Sequence, residues 1–315
     1  MKIKKEYIIL ILVMAALVIY ISLRKDSRIR YEIPVVAEIA AEEISGINIS
    51  ADGKEIKIKK ENDKWLIGPE NFPADSNKIR KMINFLKKPV LVTVVSESKD
   101  YMRYGLDEKK RITVNVLSGE KGLRSVEIGN PANVQNHTFI RLGNDTTVYH
   151  AREELRDIFT TDLDNIRDKN VISFKIDEVE DVSFSGDDIK WTFTRKAVIS
   201  DEDNKESRAF QWEGENEVKV EHTRMVAILD EIAGIKCPGY IYDINAEVLD
   251  NPAYVIRVRD KDEHTLTVYP KKEDDYRAVS SDNPSPFYLY AWRIDNIREK
   301  FQEISGVKEA EKPDV

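Results

Sequence analysis

The chain has 315 residues, of which 34% are charged and 41% hydrophobic, and its formal net charge is −8. Residues 1–30 carry seven Lys and Arg against one Glu and one Asp, a net +5, so the rest of the chain carries −13. Such an acidic body lacks the clustered positive charge that a nucleic acid partner requires, and the composition excludes an intrinsically disordered chain. The length suffices for two domains of typical size.

Residues 7–23 form an uninterrupted run of seventeen uncharged residues, YIILILVMAALVIYISL. As a helix, this run covers roughly 25 Å of the roughly 30 Å hydrocarbon core of a bilayer, and Lys and Arg flank it on both sides. It predicts an N-terminal membrane anchor, residues 1–30, with a transmembrane helix that begins at Tyr7, ends at Leu23 and contacts membrane lipid. Ser22 lies between bulky Ile21 and Leu23, which favours an uncleaved anchor over a signal peptide.

The charges that flank the predicted span do not decide its orientation. Three lysines and the amino terminus precede the span, and Arg24, Lys25, Arg28 and Arg30 follow it. The positive-inside rule therefore gives nearly equal counts on the two sides. At the level of residues, both orientations of the body stay open.

Beyond the anchor, the sequence repeats itself at an interval of 146 or 147 residues. Two apolar stripes at i, i+3, i+4 and i+7 predict amphipathic helices, and each member of the second stripe lies 146 positions after its counterpart. The stripes are Ile79, Met82, Ile83 and Leu86, then Met225, Ile228, Leu229 and Ile232. Trp65 is matched 147 positions later by Trp212. We infer a duplicated body.

Short runs with period-two alternation surround both helices and predict half-buried antiparallel strands. Asp52-Gly53 and Gly186-Asp187 predict that each half opens with a hairpin. The predicted fold is α+β: an N-terminal transmembrane helix followed by two tandem repeats of antiparallel sheet with packed helices. The repeats are placed at residues 31–170 and 171–305, with a polar loop at Ser200–Ser207 and a polar tail at 306–315.

The sequence contains no common catalytic or phosphate-binding motif. Cys237 is the single cysteine and has no assignable basic partner, so we interpret it as a small core or surface residue. The four histidines, 137, 150, 222 and 264, lack metal-helix spacing, and chance explains carboxylate pairs such as Asp187-Asp188 and Asp274-Asp275. We therefore predict no catalytic residue, no cofactor and no metal site.

An aromatic run, Phe287 to Trp292, is the strongest candidate for a binding surface. Period two places Phe287, Leu289 and Ala291 on one face of a strand and Tyr288, Tyr290 and Trp292 on the other. The first-repeat counterpart, Thr147 to Ala151, is less aromatic. Tyr288, Tyr290 and Trp292 are therefore a possible partner surface special to the second repeat, and a purely structural strand is the alternative.

Several segments carry a family resemblance: Trp65-Leu66-Ile67-Gly68-Pro69, Tyr104-Gly105-Leu106-Asp107, Val126-Glu127-Ile128-Gly129 and Asn165-Ile166-Arg167-Asp168-Lys169. Through these the chain resembles the bacterial domain of unknown function 4340 family, over essentially the whole body. The chain departs from that pattern where Glu108 and Lys109 replace the usual proline after Asp107. The resemblance implies an anchored envelope protein, associated with an ABC-type transporter system of the kind linked to gliding motility, with no assigned catalytic residues.

We therefore expect a single-pass protein of a bacterial cytoplasmic membrane with most of the chain extracytoplasmic. Its expected role is that of a non-catalytic accessory or scaffold, which binds a protein partner in the membrane such as a transporter component. An envelope module that binds glycan or peptide is the alternative. A hydrolase built from carboxylates is a third hypothesis, because no motif reveals such a site.

Overall fold

The computed structural model describes residues 5–23, 33–186, 189–200, 207–272, 274–283 and 285–306. The chain divides into two compact units, each assembled from two segments. The first unit contains Met1–Lys59 and Arg80–Thr161, and the second contains Lys60–Ile79 and Asp162–Val315. Residues 60–79 and 162–170, which the sequence groups with the first repeat, thus belong to the second unit. Most of the predicted loop at Ser200–Ser207 and of the tail at 306–315 lies outside the described residues.

The described residues form six α-helices and seventeen strands. The elements up to residue 166 are α1 (Lys5–Leu23), β1 (Gly46–Ala51), β2 (Lys54–Glu61), β3 (Lys64–Ile67), β4 (Phe72–Pro73), α2 (Ser76–Lys87), β5 (Leu91–Ser96), β6 (Ile112–Ser118), β7 (Lys121–Pro131), β8 (His137–Leu142), β9 (Val148–Arg152), α3 (Leu155–Ile158) and α4 (Leu163–Ile166). The later elements are β10 (Asp181–Gly186), β11 (Ile189–Ser200), β12 (Ser207–Glu213), β13 (Lys219–Glu221), α5 (His222–Ala233), β14 (Tyr254–Arg259), β15 (Glu263–Lys272), β16 (Asp275–Ser280), β17 (Phe287–Tyr290) and α6 (Ala291–Ser305).

The N-terminal helix α1 covers the predicted span. Large apolar side chains along it are exposed, among them Leu12 at 64% and Val18 at 62%. Tyr7 and Leu23 belong to α1, and their side chains lie outside the part of the chain that the structure describes. Within that described part, no helix meets the combined length and hydropathy of a membrane span.

Seven strands of the first unit form an antiparallel sheet in the order β2-β1-β6-β7-β8-β9-β5. Its opening hairpin turns at Asp52 and Gly53, which both have positive φ, as a two-residue type I′ turn requires. One face carries fully buried Ile47, Val114 and Val126, one from each of three strands. Because alternate residues point to one face, the predicted period-two pattern produces this core directly.

The second unit contains an eight-stranded antiparallel sheet in the order β13-β12-β11-β10-β14-β15-β16-β17. Helices α5 and α6 supply apolar side chains to the same core as the buried face of the sheet. The stripe predicted on α5 is buried throughout: Met225, Ile228, Leu229 and Ile232 are at most 3% exposed. At roughly 25 cal/mol for each Å² of apolar surface removed from water, such stripes are what hold an amphipathic helix to a sheet.

The strand orders of the two units reveal the duplication. The order β2-β1-β6-β7-β8-β9 in the first unit corresponds to β11-β10-β14-β15-β16-β17 in the second. Helices α2 and α5 each follow a pair of short strands, β3 with β4 and β12 with β13, and Trp65 and Trp212 lie on the equivalent strands β3 and β12. The mixture of helix and antiparallel sheet in two sheet units confirms the α+β prediction.

The Tyr104-Gly105-Leu106-Asp107 segment has a packing role in the first unit. Leu106 is fully buried and Gly105 adopts a φ of +65°, which glycine tolerates best. Gly129, on β7, lies so close to this segment that a Cβ placed on it would be 2.3 Å from the carbonyl oxygen of Tyr104. Two of the segments that carry the family resemblance, residues 104–107 and 126–129, therefore pack closely against each other through their backbones.

The contact at Gly129 predicts a selective loss of stability. We expect Gly129→Ala to lower the free energy of unfolding of the first unit by about 2–3 kcal/mol, because backbone at both sides prevents relaxation. Hydrogen exchange of first-unit amides in the full chain measures this loss. Gly122→Ala, on the same strand with no atom within 4 Å of the added Cβ, is the matched control and should change stability by less than about 1 kcal/mol. Equal effects of the two substitutions would refute the packing role.

Candidate functional site

The predicted partner surface lies at the edge of the second unit's sheet. Tyr288 and Tyr290 are on β17, and Trp292 lies in the first turn of α6. Phe287 and Leu289 are 0% and 1% exposed, whereas Tyr290 is 46% and Trp292 is 60% exposed. The alternation of faces is present along β17, where Tyr288 is half-buried. Ala291 and Trp292, which the period-two pattern places on the strand, lie in α6 instead, because the strand ends at Tyr290.

A neighbouring segment covers part of this edge. Tyr240 forms an isolated bridge with Phe287, and the amide of Tyr288 donates a hydrogen bond to the carbonyl oxygen of Gly239. This segment pairs with β17 as β5 pairs with β9 in the first unit. Its backbone hydrogen bond reaches Tyr288, which is half-buried, and Tyr290, two residues further along β17, is exposed.

The chemical character of the exposed pair is aromatic and cationic. The guanidinium carbon of Arg293 lies 4.9 Å from the ring centroid of Trp292. On the same helix, a carboxylate oxygen of Asp295 accepts a hydrogen bond from the hydroxyl of Tyr276 at 3.0 Å, and Lys271 pairs with the other oxygen at 3.1 Å. Burial and Asp295 raise the pKa of Tyr276, so its hydroxyl stays protonated and continues to donate. These pairs fix β15 and β16 to α6.

The first-unit position equivalent to Tyr290 is Arg152. Burial runs buried, half-buried, buried, exposed along residues 149–152 of β9, as it does along Phe287–Tyr290 of β17, and the pairings with β8 and β16 have the same register. Tyr149 is therefore the counterpart of buried Phe287, and its hydroxyl donates to Asp145 at 2.6 Å. The end of the strand is exposed in both units and carries an aromatic side chain in the second.

A second cluster, which the sequence did not reveal, surrounds Arg167 in the second unit. Arg167 is 1% exposed, and its guanidinium carbon lies 3.8 Å from the ring centroid of Phe72 and 3.3 Å from that of Tyr240. Its Nη2 donates to the hydroxyl of Ser285 at 3.0 Å and its Nη1 to the hydroxyl of Tyr242 at 3.4 Å. The buried Nε has no hydrogen-bond partner within the described residues. We call Phe72, Arg167, Tyr240, Tyr242 and Ser285 the arginine clasp.

Asp164 compensates the positive charge of Arg167 through the hydroxyl of Tyr242, which bonds both groups. The hydroxyl of Tyr242 donates to Asp164 at 2.5 Å while it accepts from Arg167. Burial, followed by the neighbouring Asp164, raises the pKa of Tyr242 to about 12, so the proton that bridges the two groups is retained. Lys169 also approaches Asp164, at 3.4 Å.

Backbone contacts around Arg167 tie distant segments together. Arg167 forms a bridge with Ala74, and the amide of Asp168 donates to the carbonyl oxygen of Pro73. The hydroxyl of Tyr240 donates to the carbonyl oxygen of Asp168 and accepts from Asn283 at 2.6 Å. The Asn165 to Lys169 segment therefore joins the chain before α2 to the chain after α5. Arg167 fastens these segments together: its Nη1 and Nη2 donate hydrogen bonds to two hydroxyls, and its guanidinium stacks on two aromatic rings.

The sequence offers further residues for chemistry, namely Cys237 and two pairs of neighbouring aspartates. Cys237 is 3% exposed in the core of the second unit, and burial raises the pKa of its thiol, which keeps it protonated. Asp274 and Asp275 lie at the turn between β15 and β16, and Asp187 and Asp188 lie outside the described residues. Within the described ranges, no group of three or more His, Cys, Asp or Glu is arranged to hold a metal ion.

These features define a class of protein, a duplicated α+β body in which each unit is built on one antiparallel sheet. The family model described as Domain of unknown function (DUF4340) matches residues 65–252, which is more than half of the chain, and the chain belongs to that family. The match includes the Arg167 segment and is narrower than the whole-body resemblance expected from the sequence. Neither the curated proteins nor the solved structures include a significant match to the chain.

The arginine clasp predicts a large cost for removal of its guanidinium. We expect Arg167→Met to lower the free energy of unfolding of the second unit by about 2–4 kcal/mol, because two stacked contacts and two hydrogen bonds are lost in a buried site. All four tryptophans (65, 191, 212 and 292) belong to the second unit, so tryptophan fluorescence during urea unfolding reports on it alone.

Arg224→Met is the matched control for this substitution. Arg224 is on α5 in the same unit, its side chain is 57% exposed, and it forms a 3.9 Å ion pair with Glu303. Exposed pairs of this kind contribute about 0–1 kcal/mol. A loss at Arg167 no greater than the loss at Arg224 would contradict the fastening role.

Proposed function

We propose that this chain is a single-pass, membrane-anchored accessory or scaffold protein without catalytic activity, whose second unit binds a protein partner in the membrane. The proposed setting is a bacterial cytoplasmic membrane with the body on the extracytoplasmic side. A component of an ABC-type transporter is the partner class that the family resemblance suggests.

The apolar helix α1 supports the anchor. Exposed large apolar side chains follow one another along it, including Leu10, Val13, Leu17, Val18 and Ile21, each more than half exposed. Water rarely surrounds such a helix in a soluble protein, since burial of each Leu, Val or Ile side chain is favourable by about 1.5–3 kcal/mol. Lipid acyl chains would provide that burial.

The attachment of the chain between anchor and body limits the distance between the proposed anchor and the first unit. The guanidinium of Arg124 donates to the carbonyl oxygens of Leu86 and Lys87, at the end of α2, and to that of Ala37. The amide of Ile39 donates to Lys87 at 2.9 Å. The body thus holds the chain from Ala37 onward. Leu23 and Ala37 are fourteen positions apart, so at most about 50 Å of chain separates the helix from the first unit.

The exposed pair Tyr290 and Trp292 is the observation that carries the proposed partner role. Large aromatic side chains are enriched at protein interfaces, and Trp and Tyr dominate binding hot spots. The neighbouring Phe287 and Leu289 already supply the buried side of this edge, so the core does not require Tyr290 or Trp292. A surface of this kind can also stack on a glycan or a peptide, which is the alternative that the experiments below distinguish.

The proposed topology predicts that the body is digested from outside the cell. In intact spheroplasts, protease should remove the body from a chain tagged after Val315, since an extracytoplasmic body is accessible before lysis. A cytoplasmic marker protein, protected until lysis, is the control. Protection of the body until the membrane is broken would reverse the proposed localisation and exclude an envelope partner.

The proposed surface predicts site-specific crosslinking to a membrane protein. Photoreactive benzoylphenylalanine in place of Trp292 or Tyr290 should crosslink to an integral membrane protein in native membranes, because both side chains would lie within the interface. The same probe in place of Val248, which is 70% exposed on the second unit, is the control and should not. Crosslinks only to peptidoglycan or to soluble peptide would favour the alternative.

Removal of both rings should weaken that complex. We expect Tyr290→Ala with Trp292→Ala to lower the affinity about 30-fold or more, the effect of losing about 2 kcal/mol at a hot spot, measured by retention of the partner in mild detergent. Val248→Ala should leave retention unchanged. Full retention by the double variant would mean that the partner binds elsewhere.

A further inference from the structure

His264, on β15 of the second unit, lies between two carboxylates. Its Nδ1 is 2.9 Å from Oδ1 of Asp282, and its Nε2 is 3.2 Å from Oδ1 of Asp260. The side chains of His264, Asp260 and Asp282 are 13%, 9% and 23% exposed, so the cluster is largely shielded from solvent.

The same two carboxylates hold the chain that leads into β10. The amide of Ser173 donates to Oδ2 of Asp282 at 2.7 Å, and the amide of Lys175 donates to Oδ2 of Asp260 at 3.1 Å. Between these amides, the ring of Phe174 lies 6.0 Å from the imidazole of His264, centroid to centroid. Residues 173–175 are therefore fixed to the β14–β15 turn and to the chain after β16 through groups that His264 links.

The other charged groups near Asp260 and Asp282 have different partners and do not link these two carboxylates. The ammonium groups of Lys175 and Lys261 both pair with Glu178, at 3.1 and 3.0 Å. Arg259 pairs with Asp181. Asp262 contributes its backbone amide, which donates to Asp260 at 3.0 Å. Among the residues that the structure describes, the ring of His264 is therefore the group that can supply positive charge directly between Asp260 and Asp282.

The protonation state of the ring determines whether both contacts are attractive. An imidazolium donates from both nitrogens, whereas the neutral ring has one N–H and one lone pair, which repels the carboxylate that faces it. Since carboxylates occupy both nitrogens, neither is available to act as a general base toward a substrate. The arrangement therefore suits reversible protonation of the ring and not proton transfer to a substrate.

We propose that His264 is a proton-controlled clamp that holds residues 173–175 to the second unit at acidic pH and releases them as the ring loses its proton. The device lies outside the proposed partner surface and does not depend on the proposed function. The clamp responds to the binding of a proton, and the part of the chain that it releases, residues 173–175, follows Arg167 in the sequence.

The direction of the pH dependence follows from the surroundings. Partial burial would lower the pKa of His264, but hydrogen bonds and charge from Asp282, and then from Asp260, outweigh burial and raise it above its ordinary value. For Asp260, backbone amides and the imidazole outweigh burial and lower the pKa to about 2, so its charge persists. A raised histidine pKa contributes stability that is fully present below about 6.5, the ordinary value, and is lost as pH rises through the pKa of the folded state.

His150 provides an internal contrast in the first unit. Burial and the nearby His137 lower its pKa, so the folded first unit favours the neutral ring. The contribution of His150 to stability is therefore complete above about 6.5, the ordinary value, and is lost as pH falls through the pKa of the folded state. This direction is opposite to that of the clamp, and the loss lies on the acidic side of the range in which the clamp weakens. A general effect of pH on the whole chain would not produce opposite responses in the two units.

Hydrogen exchange of the full chain in detergent, from pH 5.5 to pH 8.5, tests the clamp. After correction for the intrinsic rates, protection of the Ser173 and Lys175 amides should fall about fivefold or more as pH rises, while amides of the β14–β15 ladder keep their protection. His264→Gln should abolish this pH dependence, and His137→Gln, whose ring contacts a backbone carbonyl, should preserve it.

A proton NMR titration of the histidine ring signals of the wild-type chain provides a test that needs no stable His264 variant. His264 should titrate above His150, and Asp282→Asn should lower its pKa. Protection that is independent of pH in the wild-type chain would overturn the proposal, as would unchanged pH dependence in His264→Gln. Titration of His264 at or below the pKa of His150 would overturn it as well.

Discussion

The stacked guanidinium of Arg167 is the interaction on which the second unit depends most. A cation buried at 1% exposure is costly unless its surroundings compensate for lost hydration. Two aromatic faces, two hydroxyls and the charge of Asp164 at one remove provide that compensation. The partners that contact the guanidinium come from three other parts of the chain, at Phe72, at Tyr240 with Tyr242, and at Ser285, so the same contacts that stabilise the charge also bring these segments together.

The two units share a strand framework and differ in the side chains that they expose. Both units carry the same order of six strands and a helix after a pair of short strands. At the end of equivalent strands, the first copy carries exposed Arg152, whereas the second carries exposed Tyr290, which Trp292 follows. The same framework therefore presents a cationic side chain in one copy and aromatic side chains in the other.

Local features of the sequence predicted most of the fold. The helix stripes, the alternating strands, the opening hairpins and the two-faced aromatic strand all arise from side chains a few residues apart, where period alone specifies which face is buried. The arginine clasp joins Phe72, Arg167 and Ser285, and the cluster at His264 joins Ser173, Asp260 and Asp282. No periodic pattern connects residues so far apart. The same limit explains why residues 60–79 were grouped with the first repeat, although they fold with the second unit.

The division of the second unit into two chain segments has a consequence for its synthesis. Phe72 and Ser285, both in contact with Arg167, are 213 positions apart. At about 5–20 residues per second, a ribosome needs roughly 10–40 s to travel between them. Phe72 and Arg167 can meet within that interval, but Ser285 is made 118 positions after Arg167. The buried guanidinium therefore lacks one of its hydroxyl partners until nearly all of the described chain has been made.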